Sequence, residues 1–127
     1  MQIKILLIDD DPDFLELSKL QWEKREENTK VKATTDPDEA LELSEKKDYD
    51  VIVADYKMPE MNGLEILENL REKGDKTPFI ILTGKGGEDV AMEALNLDAD
   101  RYIKKNMEPE KQYKEIIDTI FDKPVSS

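Results

Sequence analysis

The sequence contains no cysteine and no histidine. The first absence removes disulfides, thiolate metal sites and a cysteine nucleophile, and it fits a reducing compartment. The second removes Ser-His-Asp chemistry, imidazole metal ligands and any relay through a phosphorylated imidazole of this chain. Positive charge is scarce: 19 Lys and Arg face 31 Asp and Glu, a net charge of -12. Such a surface repels phosphate backbones and anionic membranes, so neither direct nucleic-acid binding nor membrane binding is expected. The apolar run before Asp9-Asp10-Asp11 is too short for a membrane span and too acidic for a signal peptide. A cytoplasmic protein is the expectation.

The 127 residues suit one domain with an ordinary hydrophobic core. We place it at 1–122, with 123–127 (Lys123-Pro124-Val125-Ser126-Ser127) as a frayed tail. Apolar runs bounded by turn signals alternate with stretches of helical period. Ile3 to Ile8, Val51 to Ala54 and Phe79 to Leu82 are nearly unbroken runs, as for strands covered on both faces. Val31 to Thr34 alternates and Arg101 to Lys104 is short, which suits the two sheet edges.

Helix starts are marked at Asp11-Pro12, at Asp36-Pro37-Asp38-Glu39, where Glu39 is spaced for a capping box, and at Asn62-Gly63-Leu64-Glu65. Glu88 to Leu97 and Pro109 to Phe121 supply the fourth and fifth helices. The pattern predicts an α/β, flavodoxin-like (βα)5 three-layer sandwich, its parallel five-stranded sheet in the order 2-1-3-4-5.

Ligands of open α/β sheets bind beyond the carboxyl ends of the strands. Those positions hold Asp9, Asp10 and Asp11 after strand 1, Asp55 after strand 3, Thr83 after strand 4, and Lys104 and Lys105 after strand 5. Clustered carboxylates repel one another unless a cation sits between them. Oxygen-only ligation suits Mg²⁺ best, with Mn²⁺ as an acceptable substitute. A divalent ion attracts a phosphoryl group, a carboxylate there can act as nucleophile, and a hydroxyl and a lysine can hold the remaining oxygens. Asp11 reads as a helix cap only.

These residues resemble the receiver domain of response regulators, from Ile3 to about Phe121. The most specific stretch is Asp55-Tyr56-Lys57-Met58-Pro59-Glu60-Met61-Asn62-Gly63, similar to the family's D-x-x-M-P-x-M-(D/N)-G. Ile8-Asp9-Asp10-Asp11-Pro12 resembles its acidic pair, Ile81-Leu82-Thr83-Gly84 its hydroxyl site, and Asp98 to Lys105 its lysine strand. The resemblance implies a two-component switch that takes a phosphoryl group onto Asp55 from a histidine kinase, a phosphotransfer protein or a small acyl phosphate. Asp10, Asp55 and the backbone carbonyl of Lys57 would ligate Mg²⁺, with Asp9 acting mainly through water. Thr83 and Lys105 would hold the phosphoryl group, and Thr83 and Tyr102 would switch together. A downstream protein would read the face made by the fourth helix, fifth strand and fifth helix, and a phosphorylation-linked homodimer on that face is a further expectation. Such a protein is not an enzyme in the turnover sense, since it catalyses only its own phosphorylation and dephosphorylation.

Two features depart from the resemblance. Asn106 stands where the family usually has a proline after its lysine, which raises the question of a trans or strained peptide and leaves Lys104 as the substitute for Lys105. Lys57 and Lys85 each lie two residues after a site residue, where cations can shield an acyl phosphate from water. Gly84, Gly86 and Gly87 lie in the loop that would move, and Gly63 is expected to relieve strain in the turn before the third helix. Three other readings stay open. A flavodoxin-like cofactor binder is disfavoured by carboxylates where phosphate should sit. An Asp-nucleophile phosphohydrolase would need a cap domain. A pseudo-receiver would not need the full set of residues. The chain suits a stand-alone receiver and a domain excised from a larger regulator equally.

Overall fold

The computed structural model describes residues 2–46, 48–84 and 99–121. Five strands, β1 (Ile3–Ile8), β2 (Thr29–Thr34), β3 (Val51–Asp55), β4 (Phe79–Thr83) and β5 (Arg101–Lys104), form one parallel sheet in the order β2-β1-β3-β4-β5. The described helices are α1 (Pro12–Glu23), α2 (Pro37–Glu45), α3 (Gly63–Glu72) and α4 (Pro109–Phe121), the last being the fifth helix of the sequence reading. The expected fourth helix, Glu88 to Leu97, lies outside the described residues, as do Lys85, Gly86, Gly87, Asp98 and the tail.

Alternation along the strands splits the core into two layers. Leu6, Ile8, Ile52, Ala54, Phe79 and Ile81 pack with Leu64, Leu67 and Leu70 of α3 and Ala40 of α2. Ile5, Leu7, Val53, Ile80, Leu82 and Ile103 pack with Leu15 and Trp22 of α1 and Tyr113 and Ile116 of α4. The three central strands are buried on both faces because helices cover both, while β2 and β5 have exposed positions. The sandwich and strand order are those expected.

Local signals behave unevenly. Asp11 caps α1 through the N–H groups of Asp13 and Phe14, which is the role expected of it. Asp36 caps α2, but Glu39 does not complete a capping box: the Asp36 N–H that it would accept donates to Thr34 Oγ1 at 3.1 Å. The reciprocal box forms at α3, between Asn62 and Glu65. β2 starts at Thr29, two residues before the expected Val31, because tertiary partners extend it. Thr29 Oγ1 shares a 2.6 Å hydrogen bond with Tyr113 of α4, and Lys30 pairs with Lys4.

Candidate phosphoryl-transfer site

Strand register brings the predicted residues to one rim. Ile8 pairs with Ala54, Asp55 with Leu82 and Thr83 with Lys104. Asp9, Asp55, Thr83 and Lys105 therefore emerge at one level although up to 96 residues separate them (105 minus 9). Asp9 is fully buried, Asp55 and Thr83 are nearly so, and Asp10 is exposed beside them. One carboxylate oxygen from each of Asp9, Asp10 and Asp55 lies within 4.8 Å of the others.

The loop after β3 has a definite shape. Tyr56 N–H donates to Leu82 C=O, extending the ladder one residue past Asp55, and Gly63 N–H returns to Tyr56 C=O. Met58 is buried and Met61 packs on the same core layer, so the two methionines anchor the loop. Gly63 is required here for a reason other than turn strain. Its φ is not positive, but a Cβ at this position would lie 2.7 Å from the Asp55 carbonyl oxygen and 3.1 Å from Ile81 Cδ1. Close approach to the backbone of Asp55 is what excludes a side chain.

Crowding governs the electrostatics. Burial, then the neighbouring Asp9 charge, pushes the Asp55 carboxyl up to about 6, against the pull of Lys105 and a hydrogen bond from the Lys57 N–H. Asp9 is also raised by burial, although Lys105 and the Asp11 N–H oppose the shift. Burial works to lower Lys105, but its bond to Asp9 and the charges of Asp9, Asp55 and Asp11 outweigh that and raise it. The Lys105 ammonium stands 2.8 Å from Asp9 Oδ2 and 3.7 Å from Asp55 Oδ2. Lys104 is exposed on the same strand end, and Lys105 is the lysine that enters the site. There is no cis peptide among the described residues, so Lys105–Asn106 is trans.

Thr83 Oγ1 is buried and has no hydrogen-bond partner among the described residues, a costly condition for a hydroxyl unless a further group meets it. Tyr102 is 39% exposed, which makes it a surface aromatic and not core packing. Lys57 is exposed and borders, with Asp10 and Asn62, a hollow of about 480 Å³ beside the carboxylates.

Two contributors escaped sequence reasoning. The Phe14 ring lies under the Lys105 ammonium, 4.6 Å from its centroid. The buried Gln112 amide donates to the carbonyls of Lys104 and Lys105. Phe14 sits within a helical apolar pattern that reads as core. A polar residue on the buried stripe of the last helix was the one available signal for Gln112.

The oxygen donors fit a hard divalent cation. Three converging carboxylates, one with its ionisation suppressed by burial and by the other two, form a site whose charge a cation would balance.

A family model described as the response regulator receiver domain matches residues 5–117. The response regulator SaeR of Staphylococcus aureus (strain USA300) is 37% identical over 105 residues, which cover 83% of this chain and 45% of SaeR. The chain thus matches about half the length of that relative. A response regulator receiver domain protein from Clostridium thermocellum superposes with a TM-score of 0.84 at 29% identity, covering 93% of this chain and 94% of that one. A CheY-like receiver domain protein from Methanospirillum hungatei gives 0.85 at 27% identity, covering 96% of each chain.

Proposed function

The chain belongs to the response regulator receiver domain family of two-component signalling, and on that premise we propose that it is a switch set by phosphorylation of Asp55. The observation that carries the proposal is the convergence of Asp9, Asp10 and Asp55 within 4.8 Å, next to a lysine and a buried hydroxyl without a partner among the described residues.

In the proposed reaction an Asp55 carboxylate oxygen attacks phosphorus. A P–O bond forms, and the P–N bond of a donor phosphohistidine, or the P–O bond of an acyl phosphate, breaks. Receiver domains generally bind Mg²⁺ at an acidic pocket; here Asp10, Asp55 and the Lys57 carbonyl would hold it, Mn²⁺ could replace it, and either ion would neutralise phosphoryl oxygens. Asp9, with one oxygen on the Asp11 N–H and the other on Lys105, contributes charge and acts through water. Lys105 pairs with a phosphoryl oxygen, and the Thr83 hydroxyl donates to another. Satisfying Thr83 in this way draws β4 toward Asp55 and biases the neighbouring Tyr102 between exposed and buried positions.

The downstream partner then meets a changed surface around Tyr102, β5 and α4, where a homodimer linked to phosphorylation would also form. The donor is a sensor histidine kinase or a phosphotransfer protein. The reaction is stoichiometric self-modification and not turnover. Among the described residues no helix is long and apolar enough to cross a membrane, and the proposed setting is the cytoplasm, with protein contact and not nucleic acid as the direct output.

Intact mass after incubation with acetyl phosphate tests the reading. A single phosphoryl adduct that needs both Mg²⁺ and Asp55, and is lost in Asp55→Asn, is expected. Multiple adducts, or one that survives Asp55→Asn, would overturn it.

A further inference from the structure

α4 presents Tyr113 and Ile116 to the core, and at a position on that stripe one turn before Ile116 an apolar residue is the ordinary choice. This helix has Gln112 instead, only 2% exposed. A buried amide is costly unless its hydrogen bonds are made. Its Nε2 donates to Lys104 C=O and to Lys105 C=O, both at 3.2 Å.

Those two carbonyls flank the residue whose ammonium enters the site. The same backbone is tied from the other direction, since the Lys105 N–H donates to Thr83 C=O at 2.8 Å. Lys105 is thus fixed at its N–H by β4 and at its C=O by α4. Its side chain then spans to Asp9 and lies over Phe14.

We infer that Gln112 is a positioning residue for phosphoryl transfer: its amide clamps the Lys104–Lys105 backbone and so sets where the Lys105 ammonium stands relative to Asp55. The inference rests on the reading of Asp55 as phosphoacceptor and of Lys105 as its charge partner. A lysine side chain is long and flexible, so its head is placed only as well as its Cα. A displacement of about 1 Å in a charge-stabilising group can cost as much as about a hundredfold in rate. Gln112 touches neither the donor nor Asp55, and all of its effect passes through Lys105.

That dependence is what the test reads. Initial rates of adduct formation with acetyl phosphate and Mg²⁺ are measured by intact mass for wild type, Gln112→Met, Lys105→Ala and the double variant. Gln112→Met keeps the shape and removes both donors. It is expected to slow the wild-type background by about tenfold or more and the Lys105→Ala background by less than about twofold. Gln112→Asn, with its donors one methylene short, should fall between and serves the same cycle if the Met variant does not fold. Equal losses in the two backgrounds, or no loss in either, overturn the clamp while the phosphoacceptor reading stands. Absence of any adduct in wild type overturns both.

Discussion

At the β1–β3 corner of the rim, Asp9 and Asp55 are held by the strands that carry them; at the β4–β5 corner, Thr83 and Lys105 depend on what surrounds them. Asp9 lies one step past a paired strand position, Asp55 occupies one, and Gly63 packs against the Asp55 carbonyl. Their places are fixed, but their charges oppose one another, and the Asp55 carboxyl is pushed up to about 6. Thr83 carries no charge, yet its hydroxyl has no partner among the described residues, and Lys105 needs Asp9, Phe14 and Gln112 to stand where it does. One corner is geometrically settled and electrostatically frustrated. The other is electrostatically satisfied at Lys105 and geometrically dependent. A divalent cation and a phosphoryl group would meet these two deficits separately.

The largest expected effect breaks the frustration of the acidic corner. Below about pH 4 Asp55 is protonated in both folded and unfolded chains, so its raised value has no consequence. Between pH 4 and 6 the unfolded chain releases the proton while the folded one retains it, so stability falls as pH rises, and above 6 the loss is constant. From 3.8 to about 6 the shift corresponds to about 3 kcal/mol in the cation-free protein. Asp55→Asn should therefore stabilise the cation-free fold at pH 8 by about that amount and hardly at all at pH 4. Urea unfolding followed by the single, buried Trp22 reads both. Mg²⁺ should raise wild-type stability at pH 8 and have much less effect on Asp55→Asn. Equal stability of the two proteins at pH 8 would mean that the corner is not frustrated.

Next in size is a geometric insult to the same corner. Gly63→Ala places a methyl 2.7 Å from backbone, where it cannot rotate away. A loss of about 1–3 kcal/mol is expected, together with slower adduct formation, because the loop that anchors Asp55 must shift. Gly74 is the counterpart elsewhere in the fold, with open space around its Cβ direction but a φ of 81° after α3. There Ala costs backbone strain only and should leave adduct formation unaltered.

The same division separates what could be read in the sequence from what could not. Asp9, Asp10 and Asp55 were legible because strand ends mark themselves: an apolar run stops, a carboxylate follows, and the sheet order puts those ends together. Cap residues such as Asp11 and Asn62 were legible for the same local reason. Glu39 misled because a hydroxyl two residues upstream of the cap, Thr34, took the N–H first. The start of β2 was missed because Thr29 is held by Tyr113, 84 residues away. Gly63 was identified correctly as special, but its cause is a contact with Asp55 that no local rule contains. Phe14 and Gln112 act only after folding has brought α1 and α4 to Lys105. The lysine corner was therefore located at the rim from sequence without being explained by it.

Two smaller effects sharpen the account of that corner. Thr83→Val removes, at nearly constant shape, a buried hydroxyl with no partner among the described residues, and should stabilise the unphosphorylated protein by about 1 kcal/mol in chemical unfolding. A loss of stability would mean that the hydroxyl already has a partner in solution.

The smallest concerns the ring beneath Lys105. Phe14 is half-buried and packs against the edge of the core, so Phe14→Leu changes both packing and the electrostatic partner of the ammonium. The two are separated by repeating Phe14→Leu in Lys105→Met, where packing loss remains and the charge is gone. The ring's attraction for the cation should appear as a coupling of about 0.5–1 kcal/mol between the two sites in unfolding experiments. The sign of its effect on Lys105 follows from the same argument. The ring favours the charged form, so Phe14→Leu should lower the raised Lys105 value toward that of a free lysine, readable by NMR titration of the side chain. Asp9 remains 2.8 Å away in either case, so the shift should be partial. A coupling of zero with an unmoved titration would leave Asp9, and the backbone clamp behind it, as what holds the ammonium in place.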